Sequence, residues 1–159
     1  MGWIFKLPKE AAVLIVGMLP IFELRGAIPL GFYLNLGISQ TFFFAIIGNL
    51  IPIVPVLFLL KPVSYSLHRF FIFKRFFKWL FEHTRRRTEI IQKYETVGLT
   101  IFVAIPLPFT GAWTGAIAAS LFKIRFRYAI LAITIGVLIA GIIVTFLCIL
   151  GKLTWQVIR

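Results

Sequence analysis

The sequence predicts an all-α integral membrane protein, built as an inverted repeat of two re-entrant helical hairpins plus two full transmembrane helices and an interfacial amphipathic helix. Three observations predict it. The 159 residues are 60% apolar and 16% aromatic, with 18 Phe, well above the apolar share of a soluble domain. Residues 41 to 60 and 128 to 150 carry no charge, and each reaches the ~20 residues a helix needs to cross a hydrocarbon core about 30 Å thick. Two further apolar stretches, Leu19-Pro20-Ile21-Phe22-Glu23-Leu24-Arg25-Gly26-Ala27-Ile28-Pro29 and Ile105-Pro106-Leu107-Pro108-Phe109-Thr110-Gly111-Ala112-Trp113-Thr114-Gly115, are broken at their centres in corresponding positions of the two halves.

Lipid offers no hydrogen bonds, so backbone freed by Pro and Gly must be buried in protein or line a wet cavity. Paired breaks in two repeats therefore point to a transport site near the bilayer midplane. With Pro20 laid on Pro106, Phe42 falls on Tyr128, and a one-residue gap brings Ala45-Ile46 onto Ala132-Ile133. The chain reads as a single membrane domain, 1–159, with repeat one at 10–60, a basic segment at 61–96 and repeat two at 97–150.

In chain order, residues 1 to 9 form a short amphipathic entry. Lys6 and Lys9 ahead of an apolar run imitate a signal peptide, but no small-residue cleavage site follows and Glu23 and Arg25 interrupt the sequel, so the segment reads as retained. Residues 11 to 35 are apolar but broken at Pro20, Gly26, Pro29 and Gly31, and form the first hairpin. The first span follows, with Pro52 and Pro55 expected to kink it. The segment 61–96 sets nine Lys and Arg against three Glu. At 100° per residue Phe70, Phe73, Phe77, Leu80 and Phe81 share one face, opposite Lys74, Lys78 and Arg85, which suits a helix lying in the membrane interface.

Residues 97 to 122 are again apolar and broken, and the basic turn Lys123-Ile124-Arg125-Phe126-Arg127 leads into the second span. That turn decides the topology. A full crossing by 97–122 would put its three basic residues opposite the basic central segment, against the positive-inside bias. Residues 97 to 105 rise only about 14 Å as helix, roughly half a bilayer core. A hairpin that returns to the cytoplasm satisfies both constraints, and by the same logic residues 11 to 35 enter from the other face.

The formal net charge of +12 would suggest nucleic acid in a soluble protein. Here the aromatics beside Arg85-Arg86-Arg87 follow a helix period toward lipid, so the excess reads as cytoplasmic charge beside anionic lipid, with no nucleic-acid partner. Cys148 stands alone, and His68 and His83 have no Cys or Asp cluster near them, so no metal site is expected. No paired carboxylates, no Ser, His and acid set in one apolar pocket and no Gly-rich loop ending in Lys appear, so the chain does not read as an enzyme and no cofactor is expected.

All five acidic residues are Glu, and only Glu23 lies deep in an apolar stretch. An ionisable group in lipid costs at least ~2.5 to 3.5 kcal/mol, so it faces the protein interior and has a partner. Glu23 and Arg25 are each other's expected partner. Either Glu23 exchanges a proton or sodium ion while Arg25 meets an anionic group, or the two form a structural ion pair at the hairpin tip. Thr110, Gly111 and Thr114 make the opposing tip, where Thr110 or Thr114 could cap the returning helix. Helix starts after Gly26 and after Gly111, with Arg25 nearby, would favour phosphate or carboxylate. Pro29, Trp113 and Asn49 are further candidates for lining the site, against packing roles for Trp113, Gly111 and Gly115 and a helix-to-helix bond for Asn49.

The run Glu23-Leu24-Arg25-Gly26-Ala27-Ile28-Pro29, the segment Pro106 to Ala116 and the overall length resemble the small multidrug export family, a branch related to the DedA superfamily. The likeness covers residues 10 to 150. It implies a multi-pass protein of the prokaryotic cytoplasmic (inner) membrane, with two opposed re-entrant hairpins, in a superfamily linked to moving polyprenyl phosphate or phospholipid between leaflets and to proton-motive force. Ala104 and Thr110 stand where more distant members of that superfamily carry arginines. The expected function is a flippase or scramblase for anionic lipid phosphates coupled to a proton or sodium ion. The alternatives are a proton-coupled exporter of small cationic amphiphilic drugs and a non-transporting membrane scaffold. Membrane lipids, the amphiphilic substrate and the coupling ion are the expected partners, with a homo-oligomer left open.

Overall fold

The computed structural model describes residues 7–63, 88–107 and 110–158. Among them every regular element is a helix: α1 (Lys9–Met18), α2 (Glu23–Tyr33), α3 (Ile38–Leu50), α4 (Ile53–Val63), α5 (Thr88–Ala104), α6 (Ala112–Leu121) and α7 (Phe126–Ile158). Two apolar stretches are long enough to cross a membrane, Ile38–Leu59 with mean hydropathy 2.4 and Phe126–Thr154 with mean hydropathy 2.9. They coincide with the two uncharged spans of the sequence. The apolar run Tyr94–Ala104 and the helix Ala112–Leu121 fall well short of that length. The Phe-faced segment from Phe70 to Phe81 lies outside the described residues.

Proline explains where the first span bends. Pro52 has no N–H to give to the preceding turn, so the α3 ladder ends with Ile51 N–H on the Ile47 carbonyl (3.0 Å) and resumes with Val56 N–H on that of Pro52 (3.0 Å). Pro29, by contrast, sits inside α2 without ending it. One boundary differs from expectation: α5 starts at Thr88, inside the segment assigned by charge to the cytoplasmic loop. Its 17 residues rise about 26 Å, not the ~14 Å of residues 97 to 105 alone. The cause is local, because Glu89, Gln92, Lys93 and Glu95 are good helix formers and extend the apolar arm outward.

The ends of α2 and α6 are built alike. Leu36 N–H reaches back to the Gly31 carbonyl (3.0 Å), and Ile124 N–H reaches back to that of Ala119 (3.0 Å). Asn35 and Lys123, the residues just before, both take left-handed backbone at φ 55°, the arrangement that commonly closes a helix. The helices that follow also start alike, with Thr41 N–H on the Gly37 carbonyl and Ala129 N–H on that of Arg125. Each then meets an earlier helix at a glycine. A Cβ on Gly48 would overlap the Leu14 carbonyl of α1, and one on Gly136 would stand 2.9 Å from the Thr100 carbonyl of α5. Asn35 thus corresponds to Lys123 and Gly48 to Gly136. This register is shifted from that of Pro20 on Pro106, because the break between α5 and α6 is longer than that between α1 and α2.

Small residues at these crossings let backbones approach, which is how helices associate where lipid is as apolar as leucine. Val13, Ala27, Ile28, Ala45, Val103, Ala116, Ile133 and Val137 form the buried centre. Phe58, Leu59, Ile142 and Phe146 project outward, as lipid-facing positions would. α1 lies on α3 and α5 on α7, while α2 also packs on α7 and α6 on α4. Each break is therefore held against the other half of the chain.

Candidate functional site

The first break is a tight turn, with Phe22 N–H (3.2 Å) and Glu23 N–H (3.0 Å) both directed to the Leu19 carbonyl. It ends in strain. Glu23 has φ 44°, a conformation that costs a non-glycine residue about 1 to 3 kcal/mol and persists only where the surroundings enforce it. Here the side chain supplies the enforcement. Glu23 is only 5% exposed, and its Oε1 accepts a hydrogen bond from the Trp113 N–H at 3.2 Å, with the Ala112 N–H contributing a second. A buried carboxylate from the first break thus caps the first turn of α6.

Arg25 does the complementary work. Its guanidinium donates to the Leu107 carbonyl and to the Thr110 carbonyl at 2.9 Å, groups that the irregular backbone of the second break leaves without helical partners. A third link runs from Trp113 Nε1 to the Met18 carbonyl at the end of α1, at 3.3 Å. The physical requirement is simple. Broken backbone in an apolar setting exposes both donors and acceptors, and each must be matched. Glu23 matches the donors and Arg25 the acceptors.

This corrects the expectation that Glu23 and Arg25 pair with each other. Both side chains reach across to the second tip, and the hydrogen bonds that hold them are to backbone. It also corrects the expected capping by threonine. The Thr110 hydroxyl accepts from Leu107 N–H (3.0 Å) and donates to the Ile105 carbonyl (2.6 Å), tightening the break itself. The Thr114 hydroxyl bonds the Gly111 carbonyl at 3.2 Å.

Gly111 has extended backbone, φ 162°, which any residue could adopt, so conformation does not call for glycine there. Space does. A Cβ on Gly111 would overlap the Glu23 carboxylate, 2.6 Å from its Cδ and 2.8 Å from its Oε1. In the register set by the helix ends, Gly111 corresponds to Glu23 itself, so the two equivalent positions meet face to face.

Beside them lies a cavity of about 10 Å3, lined by Glu23, Arg25, Asn49, Thr110 and Gly111 together with apolar groups from α5 and α7. That is room for about one water, whereas drug-sized ligands occupy some 300 to 1,000 Å3. Five of the residues singled out in the sequence therefore converge. Trp113 joins them through its backbone, and Thr114 stands one turn away on the tip. Gly26 and Pro29 do not reach the cavity: Gly26 packs under the Phe22 side chain and Pro29 is exposed on the outside of α2. The α7 wall of Val137, Ala140 and Val144 was missed, since nothing in an all-apolar span marks which stripe faces a site. The only available signal is their three- and four-residue spacing.

No curated protein and no solved structure matches the chain. Residues 23–143, beginning at Glu23 itself and running from α2 into α7, match the family described as "Putative small multi-drug export protein". With most of its length matched and two apolar membrane-length helices, the chain is a membrane protein that belongs to this small multidrug export family.

Proposed function

We propose that this protein is a membrane transporter for an anionic amphiphile of the lipid-phosphate class, polyprenyl phosphate or phospholipid, coupled to a proton or sodium ion at Glu23. The observation that carries the reading is the buried Glu23 carboxylate seated on the first N–H groups of α6, with the Arg25 guanidinium beside it. A helix N-terminus flanked by arginine is an anion site, and here the protein's own carboxylate occupies it. Taking up an ion at Glu23 weakens that charge-assisted contact and frees the same donors for a phosphate. Because the cavity between the tips has room for one water, the tips must part for substrate to enter, and the bonds of Glu23, Arg25 and Trp113 are the ones that open.

The accompanying architecture is an inverted repeat with α1–α2 and the apolar part of α5–α6 as re-entrant hairpins. The matching ends of α2 and α6 and the matching glycine crossings support it. So do the short apolar lengths of Tyr94–Ala104 and Ala112–Leu121. The prokaryotic cytoplasmic membrane is the proposed location.

A second reading, export of small cationic amphiphiles, is favoured by the family description. In it Glu23, once exposed, binds the cation directly, and Arg25 argues against this because it would repel the same charge. The deciding experiment is proteoliposome transport, measured in parallel for leaflet exchange of fluorescent polyprenyl phosphate and phospholipid and for a cationic dye, with and without pH and sodium gradients. Lipid-phosphate exchange that loses its ion dependence in Glu23→Gln and slows in Arg25→Lys, which lacks the planar fork, is the expected result. Gradient-driven movement of the dye alone would select the second reading. Unaltered ion-dependent transport by Glu23→Gln across the full pH range would refute both.

A further inference from the structure

Among the described residues, three buried side-chain oxygens lack a hydrogen-bond partner, those of Thr41, Asn49 and Thr145, and of these only Asn49 lines the cavity. It lies in α3, is 1% exposed, and its Oδ1 has no hydrogen-bond partner. Burying an amide oxygen without a donor is costly, and such an atom in a native structure calls for an explanation. Packing does not supply one. In the register that matches Gly48 with Gly136, the position equivalent to Asn49 is Val137, and Val137 lines the same cavity with an apolar side chain. Asn49 and Glu23 both line the cavity, so the partner of the amide is sought inside it.

We propose that Asn49 is the acceptor for the protonated form of Glu23, through the single water for which the cavity has room, and that the exchanged ion is accordingly a proton and not a metal cation. The inference rests on the ion-exchange role of Glu23 given above and names its ion. An ionised carboxylate only accepts hydrogen bonds and is served by the N–H groups of Trp113 and Ala112. A protonated carboxyl gains one O–H donor, and among the lining side chains Asn49 Oδ1 is the acceptor left without a partner.

The proton moves without loss of balance. It arrives from water and binds a Glu23 oxygen; the new O–H donates to the cavity water, and that water donates to Asn49 Oδ1. On release the proton returns to water and the carboxylate recovers its charge-assisted bond from Trp113. The lining disfavours a metal ion. Among the described residues of α3, α5, α6 and α7 no titratable group lines the cavity, and the charged neighbour of Glu23 there is Arg25 on its own helix, which repels a cation. Hard cations also need about six oxygen ligands, while Leu24, Val103, Val137, Ala140 and Val144 offer apolar side chains.

The test is infrared difference spectroscopy of the full-length protein in lipid, titrated with acid, following the carboxylic-acid C=O band that Glu23→Gln removes. In Asn49→Val the neutral carboxyl loses its acceptor, and the midpoint of this band should move about one pH unit toward acid. Asn49→Ser keeps an oxygen and should return it part of the way. Added sodium at fixed pH should leave the band unchanged. A midpoint that stays put or moves toward alkali in Asn49→Val, or a band that sodium displaces, overturns the proposal. If no band disappears in Glu23→Gln, the ion-exchange reading of Glu23 fails and the proposal with it; a Glu23 band indifferent to Asn49 overturns the proposal alone.

Discussion

Gly111→Ala adds one methyl group at the point where the two tips touch, and its cost follows from the distances there. The new Cβ would stand 2.6 Å from the Glu23 Cδ and 2.8 Å from Oε1, whereas comfortable contact begins near ~3.5 Å. Oε2 would lie closer still, so the carboxylate must retreat by more than about 1 Å. That stretches its 3.2 Å bond from Trp113 N–H beyond hydrogen-bonding distance. Losing a charge-assisted bond costs about 1.5 to 3 kcal/mol, and a carboxylate left short of partners adds to it, for a total of about 2 to 4 kcal/mol. For a chain of this size that corresponds to a fall in Tm of roughly 4 to 16 °C. Thermal unfolding in detergent, followed by tryptophan fluorescence, measures it. The control is the same substitution in a Glu23→Ala background. There the methyl group meets no carboxylate and the backbone is already extended, so the further loss should stay below about 0.5 kcal/mol, a coupling of about 1.5 kcal/mol or more. An equal fall in both backgrounds, or none in the parent protein, would refute the assignment of Glu23 as the cap of α6.

Gly48→Ala should destabilise by about 1 to 3 kcal/mol, because the added carbon meets the Leu14 backbone, which cannot step aside. Gly98→Ala has nothing within 4 Å and lies inside α5, so it should stabilise by about 0.5 to 1 kcal/mol in the same assay. Burial pushes the Glu95 carboxyl above its usual range. An acid so shifted destabilises the fold when ionised, a penalty present above its folded-state pKa and gone as pH falls through the ordinary carboxylate value. Glu95→Gln should therefore raise Tm at neutral pH and leave it unchanged near pH ~3. For the topology, cysteines at positions 39 and 120 in a Cys148→Ala background should react with impermeant reagents from opposite sides, position 120 from the cytoplasm. Labelling of position 120 from outside rejects the re-entrant arrangement.

The sequence by itself determined the solvent and the element types. Uncharged runs of span length, the prolines at 52 and 55, and two broken apolar stretches are local facts, and the bilayer's demand for satisfied backbone turns them into helices and breaks without reference to any neighbour. It also marked Glu23, Arg25, Asn49, Thr110 and Gly111, because an ionisable or polar group in an apolar run is costly wherever it sits. What those residues touch was decided by the tertiary structure alone. Glu23 and Arg25, two positions apart, look like a pair in sequence, yet the partners they take are the Trp113 N–H and the Leu107 and Thr110 carbonyls. Backbone groups are the same for every residue and carry no sequence signature. The reason for glycine at 111 is likewise invisible locally, since its backbone is extended and only the carboxylate of Glu23, arriving from the other half of the chain, forbids a side chain there.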